Sequence, residues 1–128
     1  MARILVVEDN ALNIKLFCDL LAAHGHEPSA VTDSRGALDR AREFRPELII
    51  TDIQLPHVSG MELIHDFRED EALKDVPIMA VTAYAGAGDE DRVRAAGAQA
   101  YVSKPISVVR FVEEVSALLH GKEAAIAG

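Results

Sequence analysis

The sequence predicts an α/β fold in which a doubly wound, five-stranded parallel sheet of strand order 2-1-3-4-5 lies between two layers of helices. One observation behind this prediction is the alternation of five short apolar runs with five stretches of helical periodicity. Another is the run at residues 48–50, where three large apolar residues between Pro46 and Pro56 are typical of a central strand buried on both faces. Five strands fit this order better than the six-stranded dinucleotide-binding order. In the order 2-1-3-4-5, strands one and three are neighbours.

The first strand and helix follow one another directly. The strand is the apolar run at residues 3–7, and it ends in two acids, Glu8 and Asp9. Asn10 is the predicted N-cap of a helix over residues 11–24. The apolar side of that helix is predicted to comprise Leu12, Leu16, Leu20 and Ala23, widened by Phe17 and Leu21.

The second strand, at residues 27–31, contains Pro28, whose missing N–H suits a sheet edge. Ser34 is the predicted N-cap of the second helix, and Pro46 prevents that helix from continuing into the central strand. Ser59 is the predicted N-cap of the third helix. The inner faces of these two helices are predicted to carry Ala37, Leu38, Ala41 and Phe44, and Met61, Ile64 and Phe67.

The fourth strand is predicted at residues 76–83. The glycine-rich stretch at residues 86–91 opens a fourth helix whose apolar face is thin, so that we expect this helix to be loosely held. A short fifth strand at residues 100–103 is closed by Lys104 and a proline. Ser107 then caps a last helix with apolar residues at helical spacing.

Length and charge bound the function. A chain of 128 residues is one domain, predicted over residues 2–120 with a flexible tail at 121–128 and no output domain after residue 120. The net charge of −8, with scattered basic residues, disfavours a nucleic-acid partner and favours a cation. With one cysteine, Cys18, no signal-peptide pattern and no apolar run of membrane-spanning length, we expect a cytoplasmic protein without a membrane partner.

The histidines offer no comparable pattern. They fall at predicted helix ends or polar faces, show no metal-ligand spacing and are predicted to be solvated: His24, His26, His57, His65 and His120.

Polar residues stand at the carboxyl ends of the strands, and the strand order brings them to one edge of the sheet: Glu8, Asp9, Asp52, Thr82 and Lys104. Two carboxylates about 4 Å apart repel by roughly 4 kcal/mol at an effective dielectric near 20, so a positive charge is needed there. Lys104 supplies one charge, and a site of carboxylate oxygens suits Mg²⁺.

A carboxylate with a metal, an ammonium and a hydroxyl around it predicts phosphoryl transfer onto that carboxylate. Lys104 and the metal would neutralise negative charge on the phosphoryl oxygens, and the Thr82 hydroxyl would donate a hydrogen bond to another of these oxygens. An oxygen of Asp52 would attack phosphorus in line with the bond that breaks. No general base is required, because an ionised carboxylate is already a nucleophile.

The motifs around these residues occur in a fixed order: Val6-Val7-Glu8-Asp9-Asn10, Asp52-Ile53-Gln54-Leu55-Pro56, Ser59-Gly60, Val81-Thr82-Ala83 and Tyr101-Val102-Ser103-Lys104-Pro105. Over about residues 2–120 this set resembles the receiver domain of response regulators, a CheY-like family with a flavodoxin-like, three-layer fold. The resemblance implies that Asp52 is the phosphoacceptor and that Glu8 and Asp9 hold Mg²⁺. The main-chain carbonyl of Gln54 would be a further metal ligand.

The same resemblance implies that Lys104 binds phosphate and that Thr82 and Tyr101 are the switch residues. The Lys104–Pro105 peptide bond is typically cis in the family. The implied partners are a sensor histidine kinase, a phosphatase or a phosphotransfer protein, and a downstream protein bound by the face of the fourth helix, fifth strand and fifth helix. The protein would catalyse only its own phosphorylation and slow dephosphorylation, in a phosphorelay of cell-division control.

Three alternative interpretations are compatible with the fold and the acidic edge. A haloacid-dehalogenase-like phosphatase also uses an aspartyl phosphate, but it needs a second acid two residues after the nucleophile, where this chain has Gln54. A flavin-binding module shares the strand order, yet its phosphate cradle needs Gly, Ser and Thr where the first loop here is acidic. The chain could also be a receiver cut from a longer protein.

Overall fold

The computed structural model describes residues 2–83, 86 and 88–127, and within them five strands alternate with five helices. The strands are β1 (Arg3–Val7), β2 (Glu27–Val31), β3 (Leu48–Asp52), β4 (Ile78–Thr82) and β5 (Ala100–Ser103). The helices are α1 (Ala11–Ala23), α2 (Ala37–Phe44), α3 (Gly60–Glu69), α4 (Asp89–Ala96) and α5 (Val108–Ala127). Among these helices, none combines the length and the apolar character that crossing a bilayer requires.

The strands form one parallel sheet of order β2-β1-β3-β4-β5, which confirms the predicted topology. β2, with Pro28, lies at an edge as predicted. Val7 pairs with Thr51, and Asp52 pairs with Val81. The carboxyl ends of the neighbouring strands are therefore level with one another, and residues that follow them share one edge.

The core has two halves because side chains of a strand alternate between the faces of the sheet. Leu5, Val7 and Ile49 face α2, α3 and α4, whereas Ile4 and Val6 face α1 and α5. On the second face the rings of Phe17 and Phe111 stack with their centroids 5.2 Å apart and join α1 to α5. The sheet is thus covered on both faces, as a parallel sheet requires.

The apolar face predicted for α1 is wrong by part of a turn. Phe17 and Leu21 are each only 2% exposed, whereas Leu12 is 79% and Leu16 is 39% exposed. The stripe of apolar residues is so broad that spacing alone does not show which edge meets the sheet. The stacking of Phe17 on Phe111 decides the orientation, and the two leucines remain on the surface.

Several predicted element ends also need correction. Ser34 does not cap α2, because a 3-10 turn at Ser34–Gly36 precedes that helix and Asp33 caps the turn. β4 begins at Ile78 rather than at residue 76. The prediction that His26 is solvated is also wrong, because its side chain is half-buried. The caps at Asn10, Ser59 and Ser107 are confirmed, since each side chain accepts a backbone N–H three residues on.

The structure does not test two predictions about mobility, and both stay predictions. The glycine-rich entry to α4 lies partly outside the described residues, since 84, 85 and 87 are not among them. The backbone of α5 is helical to Ala127 and residue 128 is outside the described range, so the predicted flexibility of 121–128 stays a prediction.

One arginine ties α3 to the loops at the amino-terminal edge of the sheet. The guanidinium of Arg68 donates to the carbonyl of Gly97 at 2.7 Å, to that of Val76 at 2.8 Å and to Oε1 of Gln99 at 2.9 Å. Gln99 Oε1 in turn accepts the N–H of Ile78 at 2.7 Å. Burial lowers the pKa of Arg68. Arg68 therefore fixes the end of α4 and the start of β4 through main-chain carbonyls.

Arg68→Ala should lower the free energy of unfolding by about 2–3 kcal/mol, because the substitution leaves half-buried carbonyls without a charged donor. Urea unfolding followed by helical circular dichroism measures the change. Arg110→Ala, which removes an exposed arginine of α5, should change it by less than about 0.5 kcal/mol. Equal losses in the two variants would contradict this role for Arg68.

Candidate functional site

The candidate site lies at the edge of the sheet where the strands have their carboxyl ends. Asp52 is the last residue of β3 and Thr82 is the last residue of β4. Glu8 and Asp9 follow β1, and Lys104 follows β5. The structure therefore brings to one edge all five residues that the predicted strand order places there.

Three carboxylates form the centre of this site. Glu8, Asp9 and Asp52 each offer one oxygen, and these three oxygens lie within 4.8 Å of one another. Glu8 is 1% exposed and Asp52 is 6% exposed, whereas Asp9 is exposed. Within the described residues this is the group of ligating side chains whose donor atoms are close enough to hold one metal ion. Its ligands are all oxygen, which is what hard cations bind.

Lys104 lies between the two buried acids. Its ammonium Nζ donates to Oε1 of Glu8 at 2.6 Å and to Oδ2 of Asp52 at 2.8 Å. These charge-assisted hydrogen bonds offset part of the repulsion between the carboxylates. Because the Lys104 side chain is only 15% exposed, solvent screens the interaction little.

Main-chain N–H groups orient the remaining oxygens. Oδ1 of Asp52 accepts the N–H of Gln54 at 3.1 Å. Oε2 of Glu8 accepts the N–H groups of Asp9 at 3.0 Å and Asn10 at 3.2 Å. Each buried carboxylate thus has one oxygen on the lysine and the other on backbone, so its orientation is set before anything binds.

Burial and charge shift two of these groups. Burial raises the pKa of Glu8, and the nearby charge of Asp52 adds to this, while hydrogen bonds from Lys104 and from the N–H of Asn10 oppose it. Burial alone would lower the pKa of Lys104, but its hydrogen bonds to Asp52 and Glu8 raise that pKa above its ordinary value. The lysine is therefore charged throughout the physiological range of pH.

Thr82 and Tyr101 border the same small cavity. Both residues are buried, Thr82 at 2% and Tyr101 at 7% exposure. A cavity of about 230 Å³ lies against them and is also lined by Gln54 and Val93. The Tyr101 hydroxyl is buried and has no hydrogen-bond partner within the described part of the chain.

The start of α3 is pressed against the end of β3. The N–H of Gly60 donates to the carbonyl of Ile53 at 2.9 Å. A Cβ at Gly60 would lie 2.2 Å from the carbonyl oxygen of Asp52, a distance that no side chain permits. Gly60 is thus needed for close approach, and the loop between the two elements is closed at its base.

The tip of that loop is held by a contact that the sequence pattern does not predict. The Ser34 hydroxyl donates to the carbonyl of Pro56 at 2.7 Å and accepts the N–H of Val58 at 3.1 Å. Both acceptor and donor are main-chain atoms more than 20 residues away, and no side-chain pattern marks them. The Lys104–Pro105 peptide bond, by contrast, is cis, as the resemblance implied.

The family model of the response regulator receiver domain matches residues 4–116. With the sheet order and the acidic edge, this match defines the class: the chain belongs to the receiver domains of response regulators, which are signalling domains of two-component systems. It is similar to the polar-differentiation response regulator DivK of Brucella anthropi, with 51% identity over 116 residues that cover 91% of this chain and 94% of that protein.

Solved structures agree with this family. The receiver domain of sensor histidine kinase PA1611 from Pseudomonas aeruginosa PAO1 is 29% identical, has a TM-score of 0.85 and covers 93% of this chain and 98% of its own. That structure holds a magnesium ion in its active site cleft. The chemotaxis protein CheY4 of Vibrio cholerae is 26% identical, with a TM-score of 0.87 and coverage of 93% and 99%. The family match favours the receiver over the phosphatase and flavin-module alternatives.

Proposed function

We propose that this receiver domain accepts a phosphoryl group on Asp52 in a Mg²⁺-dependent reaction. The observation that carries the proposal is the state of the Asp52 carboxylate, which is almost fully buried yet held by the Lys104 ammonium and the Gln54 N–H. A buried, paired carboxylate with a fixed orientation is a prepared nucleophile.

Glu8, Asp9 and Asp52, with the main-chain carbonyl of Gln54, are the residues proposed to hold Mg²⁺. Their oxygen donors suit this ion, and the related receiver of PA1611 carries magnesium in its cleft. When bound, the ion would neutralise charge on the phosphoryl oxygens.

The chain's own residues account for the rest of the transfer. An oxygen of Asp52 forms a bond to phosphorus while the bond between phosphorus and the donor breaks, and the leaving group keeps that electron pair. Lys104, already charged and close to Asp52, stabilises the oxygens of the transferring group, and the Thr82 hydroxyl donates to one of them. In slow dephosphorylation, the oxygen of a water molecule would form a bond to phosphorus while the bond between phosphorus and the Asp52 oxygen breaks. The electron pair of the broken bond would return to the Asp52 carboxylate, and the proton of the water would pass to solvent.

The donor in this proposal is a phosphohistidine of a sensor histidine kinase or of a phosphotransfer protein, and a phosphatase would reverse the reaction. Exposed Leu12 and Leu16 support a protein partner at this edge, because they lie on α1, which begins two residues after Asp9. The lone Cys18, which cannot form a disulfide within the chain, is the ground for proposing the reducing cytoplasm.

Output is proposed to run through Thr82 and Tyr101 to the face of α4, β5 and α5. The buried Tyr101 hydroxyl borders the same cavity as Thr82, so movement of one residue changes the space available to the other. The altered face would bind a downstream protein. The pathway proposed is cell-division control, and the similarity to DivK, a polar-differentiation response regulator, supports a regulatory role of this kind.

The test is intact mass after incubation with acetyl phosphate. We expect the protein to gain one phosphoryl group in the presence of Mg²⁺ and to gain none in excess EDTA. Loss of the added mass at alkaline pH would identify an acyl phosphate rather than a phosphoester. No gain under any condition would overturn the proposed function and leave the family and fold standing.

A further inference from the structure

The tip of the loop that follows Asp52 contains a strained turn. His57 has φ of 73°, in the left-handed region that residues other than glycine rarely adopt. The N–H of Val58 donates to the carbonyl of Pro56 at 3.0 Å, which closes a three-residue γ-turn around His57. Backbone of this kind persists only where surrounding groups hold it.

Ser34 supplies such a hold. Its hydroxyl is bonded to both ends of the γ-turn, donating to Pro56 at 2.7 Å and accepting from Val58 at 3.1 Å. Ser34 is 3% exposed, so water does not readily replace these bonds. One buried hydroxyl thus links the β2–α2 connection to the β3–α3 loop.

The element that carries Ser34 is itself fixed. It lies in the 3-10 turn that precedes α2, where the Asp33 side chain accepts the N–H of Arg35 at 3.0 Å. The Arg35 guanidinium pairs with the same carboxylate at 2.7 Å. Ser34 therefore lies in a turn that has a side-chain cap of its own, next to the loop that it contacts.

The loop has a function at its other end. Gln54 donates its N–H to Oδ1 of Asp52, and the segment returns to α3 through the bond from Gly60 to Ile53. The loop is closed at its base by the bond from Gly60 to Ile53 and is bonded at its tip to Ser34. Gln54 lies in the short segment between these two points, so we expect its peptide groups to have little freedom.

We infer that Ser34 is a positioning residue for the metal site, acting through the γ-turn on the main-chain carbonyl of Gln54. This inference rests on the proposed function, because that carbonyl is a ligand only if Mg²⁺ binds there. Groups that orient metal ligands from outside the ligand shell typically change metal affinity by about 10-fold to 100-fold when removed.

The experiment measures Mg²⁺ binding to the unphosphorylated protein by isothermal titration calorimetry, with thermal unfolding in EDTA recorded alongside. Ser34→Ala should raise the Mg²⁺ dissociation constant about tenfold. The matched control is Ser29→Ala, which deletes a half-buried hydroxyl on β2 that accepts from Arg40 at 2.8 Å, away from the loop. That control should leave the dissociation constant within about twofold of the parent's value.

The outcomes separate this inference from the function on which it rests. A parent that binds Mg²⁺ and a Ser34→Ala protein that binds it equally well, even with a lowered melting temperature, would mean that Ser34 serves stability alone and would overturn the inference only. A parent that does not bind Mg²⁺ would overturn both. Ser34→Gly, which also lacks the hydroxyl, is measured in parallel and decides the question if Ser34→Ala does not fold.

A measurement on the parent needs no variant. The Val58 amide, bonded to Ser34 and Pro56, should exchange with solvent slowly, and added Mg²⁺ should slow its exchange further because the metal holds the same loop. Exchange of the Val58 amide that is unaffected by Mg²⁺, while the ion binds, would count against coupling between the turn and the metal site.

Discussion

Asp52→Asn is expected to abolish phosphorylation, with a phosphoryl gain below about 1% of the parent's under the same exposure to acetyl phosphate and Mg²⁺. The amide keeps the size of the side chain but has no ionised oxygen to attack phosphorus. It also leaves Lys104 with Glu8 as its remaining carboxylate partner of the two seen in the structure. Intact mass spectrometry over a time course measures the loss.

The control for this substitution is Asp91→Asn. Asp91 is an exposed acid in the first turn of α4, so the substitution changes the same functional group outside the site. We expect its phosphorylation to match that of the parent within about twofold. An Asp52→Asn protein that still gained one phosphoryl group at the parental rate would place the acceptor elsewhere in the chain.

The acidic site could be predicted because its residues follow from topology. Glu8, Asp52 and Lys104 each come directly at or after the end of an apolar run, and parallel pairing brings such ends together whatever the details of packing. The strand order also follows from the number of strands and the alternation with helices. Most of the fold and the centre of the site therefore follow from local patterns in the chain.

The contacts that support the site could not be predicted in this way. Ser34 and Arg68 both bind main-chain carbonyls, Ser34 across 22 residues and Arg68 across 29. Every residue has a carbonyl, so no residue type in the sequence marks the partner. Serine is also a residue type that commonly caps helices, so local sequence alone predicts a cap at Ser34. Only the structure shows the longer-range contact.

The buried face of α1 could not be predicted for a different reason. Leu16 and Phe17 are adjacent and both apolar, and helical spacing allows either to face the sheet. The aromatic pair with Phe111 decides it, and Phe111 belongs to the last helix of the chain. Packing between distant elements therefore settles what periodicity within one helix leaves open.

Lys104→Met should slow phosphorylation by acetyl phosphate by about 100-fold to 1,000-fold, which corresponds to about 3–4 kcal/mol of transition-state stabilisation. Methionine fills much of the same space but has no charge and no N–H to offer the transferring phosphoryl group. In the parent, the ammonium lies 2.8 Å from Oδ2 of Asp52, the proposed phosphoacceptor. The rate is measured by intact mass at saturating Mg²⁺.

The same variant should bind Mg²⁺ more tightly than the parent, by at least about threefold, because the lysine no longer competes as a cation for Glu8 and Asp52. Damage to the fold would lower both the rate of phosphoryl transfer and the affinity for Mg²⁺. Slower transfer together with tighter Mg²⁺ binding would therefore show that Lys104 acts on the phosphoryl oxygens and does not merely maintain the fold. Lys74→Met is the matched control, because the Lys74 ammonium pairs with Glu71 in the α3–β4 connection, away from the site. That control should change neither quantity, and a Lys104→Met protein with the parental rate would show that Lys104 only balances the charge of its two acidic neighbours.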